Sequence, residues 1–132
     1  MICVRPMEEE DVPELQRIHA REGWNYRFPE VATPLFPVRT VAEDMGRTVI
    51  ASVVKVEAEV YLWMDHTWGT PAERWEALQE MHKEVIERAN RIGFDSLYCV
   101  LPPEIAKSFG PRLEELGWSP DRGWPRFTYQ LR

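Results

Sequence analysis

Residues 38 to 57 read VRTVAEDMGRTVIASVVKVE. Two runs rich in Val, Ile and Thr, VRTVAED and RTVIASVVKVE, flank Met45-Gly46. Such residues suit a pleated, half-buried surface, and a short Gly-containing step between them predicts a hairpin of two antiparallel strands. Just downstream, Val60, Tyr61, Leu62, Trp63 and Met64 form a further apolar run that ends at Asp65-His66. Two or three antiparallel strands are therefore expected between 38 and 66.

Upstream, ICVRPM at 2–7 reads as a first strand stopped by Pro6. Asp11, with Glu14 three residues on and Pro13 in the first turn, resembles a capping box with an Asp cap. It predicts a helix over about 12–22, with Val12, Leu15, Ile18 and His19 on one face and Gly23 as its stop. The next stretch, WNYRFPEVATPLFP at 24–37, carries three prolines and four aromatic residues, Trp24, Tyr26, Phe28 and Phe36. Proline fixes φ and removes donors, so a long irregular loop is expected, of the kind that often folds over something.

Downstream of the strands comes HTWGTPAE at 66–73. Thr70 and Glu73 form a Thr-x-x-Glu capping box, and Pro71 sits where a first-turn proline is preferred. The helix this opens runs to about Ile92, with Gly93 beyond it. Trp75, Leu78, His82, Val85, Ala89 and Ile92 make its apolar stripe. SLYCVL at 96–101 reads as a buried strand stopped by Pro102-Pro103. Ile105, Phe109, Leu113 and Leu116 have helical spacing, but Gly110-Pro111 predicts a break between two turns. RFTYQL at 126–131 alternates as a last strand. The expected fold class is α/β (α+β), a mixed and mostly antiparallel sheet with helices on both faces, in one domain over 1–132.

Composition narrows the function classes. The chain has 132 residues, 22 acidic against 16 Lys and Arg, and a net charge of −6. That balance works against nucleic-acid and anionic-membrane partners, which need clustered cations. Two cysteines cannot make a disulfide scaffold, and the three histidines fall in no metal spacing, so no metal site is expected. No apolar run approaches the ~20 residues of a membrane span, and the N-terminus lacks the pattern of a signal peptide. A cytoplasmic protein is the expectation.

The order of elements resembles that of the GNAT acetyltransferase superfamily, and the wording agrees piece by piece. ICVRPMEEEDVPELQRIHARE at 2–22 looks like the family's first strand and helix, and VAEDMGRTVIASVV at 41–54 like its second and third strands. LEELGW at 113–118 resembles the usual end of its last helix. The resemblance covers essentially the whole chain. It implies acyl transfer from acetyl-CoA to the amine of a small molecule or peptide, in a protein that can dimerise. It also implies that the strand ending at His66 lies beside the pantetheine arm, that the strand at 96–101 splays away from it, and that the start of the long helix holds the pyrophosphate. Thr67, Gly69, Thr70 and Arg74 would then contact CoA, with Arg74 as a phosphate clamp. Asp65 or His66 would handle the proton, and Tyr129 would serve as general acid. Trp24, Tyr26, Phe28 and Trp68 would shape the acceptor pocket.

Two positions depart from the family pattern. The family's pyrophosphate loop is rich in small residues, whereas HTWGTPA at 66–72 has a single Gly, Pro71 lacks an N–H, and Glu73 puts a carboxylate at the anion end of the helix. Leu113 stands where the family often places a catalytic Tyr. These departures support an alternative, a catalytically degenerate binding or structural module on the same fold. Each site residue also has a plain structural reading: Asp65-His66 as a solvated strand end, Tyr129 as a buried ring, and Trp24, Tyr26, Phe28, Phe36 and Trp68 as cover for the core. His82 and His19, on apolar helix faces, read as hydrogen-bonded boundary histidines, and Cys99 as a small core residue. A loop at 67–74 that aims several amides at one spot favours the enzyme, and a closed capping box favours the module.

Overall fold

Met45 (φ 49°) and Gly46 (φ 77°) both take left-handed backbone in the computed structural model of the chain. Positive φ at both central residues is the signature of a tight turn whose twist matches its strands. The turn joins β2 (Val38–Asp44) to β3 (Arg47–Val54), as expected. The structure describes residues 1–121 and 123–131. β1 (Ile2–Pro6) pairs antiparallel with β2, so the sheet order is β1-β2-β3. Val41 lies between Arg5 on one neighbour and Ala51 on the other, and it is fully buried. Ala42 opposes Ile50 while Glu43 opposes Thr48, which leaves Val49 as an extra residue in β3. A bulge of this type twists a strand and re-aims its side chains.

The remaining elements are α1 (Val12–Glu22), β4 (Ala58–Glu59), α2 (Pro71–Ile92), β5 (Leu97–Tyr98) and α3 (Pro103–Glu115). β4 and β5 pair in parallel, Ala58 with Leu97 and Glu59 with Tyr98. Among the described residues the fold is mixed α+β: a small antiparallel sheet, a parallel pair and three α-helices. Contacts divide the chain into two units, Met1–Val60 with Ile92–Tyr98, and Tyr61–Arg91 with Cys99–Arg132. In the first, Leu15, Val31, Phe36 and Val41 are buried; in the second, Leu78 is buried on the stripe expected of α2. Of that stripe, Trp75, His82, Val85 and Ala89 are half-buried, but Ile92 is 72 % exposed.

Several expectations are corrected. Residues 60–65 form no strand; only Val60 continues the parallel pairing, its N–H reaching Tyr98 O at 2.8 Å. The expected strand at 96–101 shrinks to two residues, and 126–131 is not a strand. Apolar runs at 60–64 and 96–101 and alternation at 126–131 suggest strands, but a strand exists only where a partner supplies its hydrogen bonds. The predicted break at Gly110-Pro111 is absent, and α3 runs through Pro111. The residue before a proline resists helical geometry through its Cβ, and Gly110 has none.

The capping box expected at Asp11 and Glu14 sits three residues earlier. A 3-10 turn over Glu9–Asp11 precedes α1, and the Glu8 N–H donates to Asp11 Oδ2 at 2.8 Å. Asp11 also takes both arms of Arg5, each at 2.8 Å, while Glu14 pairs with Arg17.

Candidate functional site

The first unit holds a cavity of about 340 Å³. One wall is α1 at Leu15, Ile18 and His19; a second is the aromatic loop at Trp24, Tyr26 and Phe28; a third is β3 at Val49–Val53. Gly23 ends α1 in left-handed backbone (φ 67°), which turns the chain back so that Trp24 to Phe28 return along the helix they follow. His19 meets Tyr26 edge-on at 4.7 Å between ring centroids and Phe28 at 5.7 Å. The Trp24 indole donates to Glu22 at 3.3 Å. Of the expected acceptor-pocket residues, Trp24, Tyr26 and Phe28 come together here. Trp68 belongs to the other unit and is not part of the lining.

Sequence reasoning missed two contributors. His19 was expected to be hydrogen-bonded, yet its Nε2 is buried with no partner among the described residues. The signal available was its place on the apolar face of α1 next to an aromatic loop. Residues Val49–Val53 read simply as sheet, and only β3's position at the edge of the sheet brings them to the cavity.

The start of α2 is closed on itself. Thr70 N–H donates to Glu73 Oε1 at 3.2 Å, and Glu73 N–H donates to Thr70 Oγ1 at 3.1 Å. Arg74 N–H already serves the helix through Thr70 O, and Pro71 has no N–H. The Arg74 guanidinium donates to the carbonyls of Trp68 and Gly69 at 2.8 and 2.9 Å. Gly69 sits at φ 62°, left-handed backbone that favours glycine. Asp65 accepts from Thr67 N–H at 2.9 Å and from its hydroxyl at 2.6 Å. Those bonds, the hydroxyl's first, hold the carboxyl of Asp65 below its ordinary range. His66 is exposed beside it. The polar groups of Thr67, Thr70 and Arg74 are thus all engaged locally, with Asp65, Glu73 and the carbonyls of Trp68 and Gly69. Thr70→Ala should remove one half of the box and lower stability by about 1 kcal/mol in urea denaturation. A loss near zero would mean that the box contributes nothing to the helix.

The other candidates lie elsewhere in the second unit. Tyr129 is not on a strand and is 86 % exposed, which corrects its reading as a buried ring. His82 accepts a hydrogen bond from the Trp118 indole at 2.9 Å, the expected partnered state. LEELGW earns its form as a helix end. Trp118 N–H reaches Leu113 O and Gly117 N–H reaches Glu114 O, each at 3.0 Å, with Gly117 at φ 99°. This is the Schellman pattern. Arg112 stacks on Trp75 with its guanidinium carbon 4.7 Å from the ring centroid. Burial pushes the Cys99 thiol up, away from nucleophilic reactivity.

No family model matches the chain, and neither a curated protein nor a solved structure matches it.

Proposed function

We propose that the chain is a ligand-binding module with the plan of an N-acetyltransferase, its helix end closed to CoA and its ligand taken by the aromatic cavity of the first unit. The closed Thr70–Glu73 box carries this reading. A pyrophosphate is held by several free backbone amides at a helix N-terminus. Here two of them are engaged, a third position is proline, and Glu73 presents negative charge where phosphate would sit. The cavity supports the second half of the reading, because apolar walls with a few polar groups are what small-molecule sites use.

A second reading is an acetyl-CoA-dependent N-acyltransferase acting on a small-molecule or peptide amine. It is favoured by the parallel pairing of β4 with β5, which stops after Val60. Two parallel strands that part would open a cleft for the pantetheine arm.

Isothermal titration with acetyl-CoA separates the two. The module reading expects no heat of binding at millimolar acetyl-CoA. Micromolar binding that weakens in Arg74→Ala would overturn it and establish the acyltransferase.

A further inference from the structure

The cavity of the first unit has three features that the aromatic rings do not explain. His19 Nε2 is buried in its wall with no partner among the described residues. An imidazole nitrogen in that state is missing a hydrogen bond that water would otherwise give it, a loss that a ligand atom can restore. The second feature is that Val49, Ile50, Ala51, Ser52 and Val53 line the cavity consecutively. Side chains of a strand alternate between faces, so five successive lining residues mean that the cavity runs along the strand's edge. β3 is the outer strand of its sheet, and alternate residues of an edge strand turn their N–H and C=O groups away from their neighbour. The third feature is charge. Among the described residues, Glu22 is the one acidic side chain of the lining, it already accepts from the Trp24 indole, and no Lys or Arg lines the cavity.

We propose that this cavity binds an uncharged planar heterocycle whose edge carries an adjacent N–H and C=O, as a lactam or a nucleobase does. The inference rests on the module reading and specifies the ligand of its site. The edge of β3 offers an acceptor and a donor to such a ring edge, and His19 Nε2 offers a further hydrogen-bonding point. Tyr26 and Phe28 stand beside His19 and supply aromatic contact. At about 340 Å³ the cavity is at the small end of ligand sites, which suits one or two fused rings. An anionic ligand is disfavoured, because Glu22 repels it and nothing in the lining neutralises it.

The test is titration calorimetry with 2-quinolone and its N-methyl derivative, on the wild type and on His19→Phe. N-methylation keeps the rings and the carbonyl but removes the donor. The wild type should bind 2-quinolone and should bind the N-methyl compound roughly fivefold more weakly, the effect of one lost hydrogen bond. His19→Phe should weaken 2-quinolone by a similar factor while its circular dichroism stays unchanged. Equal affinity for the two compounds would overturn the proposal, and so would their failure to bind. Neither outcome touches the closed helix end, which acetyl-CoA titration tests separately. If His19→Phe does not fold, the comparison of the two compounds on the wild type decides by itself.

Discussion

Phe36→Ala should lower stability by about 3 kcal/mol and the Tm by roughly 10 °C. Phe36 lies in the irregular stretch before β2, where proline forbids regular structure, yet its side chain is only 6 % exposed. The backbone fixes it from two sides. Its N–H donates to Thr33 O at 3.1 Å, and the preceding Leu35 O accepts from Val56 N–H at 2.8 Å. The second bond ties the loop to the chain just after β3. Held in this way, the loop cannot collapse freely into the space a missing phenyl would leave, so the cavity term adds to the lost transfer energy. The first unit buries few large side chains, with Leu15, Val31 and Val41 beside Phe36, so each one matters to the whole. Thermal and urea denaturation followed by circular dichroism would read the change. A loss below about 1 kcal/mol would mean that the loop lies outside the cooperative core.

Asp11→Ala should cost about 2 kcal/mol at neutral pH. Asp11 is 11 % exposed and joins three elements. Arg5 on β1 grips both its oxygens, Glu8 N–H donates to it at the entry to α1, and Arg5 also reaches Glu43 on β2 at 3.4 Å. The Arg5 bonds first, then the Glu8 N–H, lower the Asp11 pKa to about 2. An unfolded Asp titrates near ~3.9. As pH falls, the unfolded chain therefore takes up this proton before the folded one, and stability declines. The contribution is complete above about pH 5 and is lost as pH falls towards 2. The stability gap between wild type and Asp11→Asn should shrink across that window in urea titrations. A gap that stays constant from pH 5 to pH 2 would show that the ion pair does not set the acid limb.

The hairpin at Met45-Gly46, the span of α1, the start of α2 and the Gly117 helix end were all legible in the sequence. The Asp11 signal was legible in kind but misplaced. Asp11 and Glu14 have the spacing of a box, but Arg5 competes for the Asp11 carboxylate from β1. Of the candidate site, three aromatic residues were readable from the crowded loop at 24–37. His19 and the edge of β3 were not, since His19 and Ile50 stand 31 positions apart in the chain while the fold sets both around one cavity.

What the sequence determined by itself are the features closed within a few residues. A left-handed turn needs Gly46, a capped helix start needs Thr70 and Glu73, and a Schellman end needs Gly117. These interactions span three to five positions, so they form wherever the residues stand in that order. Tertiary structure decided which apolar runs became strands, because backbone groups in a strand must find partners on another segment. It also decided that α3 continues through Pro111, and that an imidazole, three aromatic rings and a strand edge share one cavity. Such outcomes depend on which distant surfaces meet, and no local spacing encodes that.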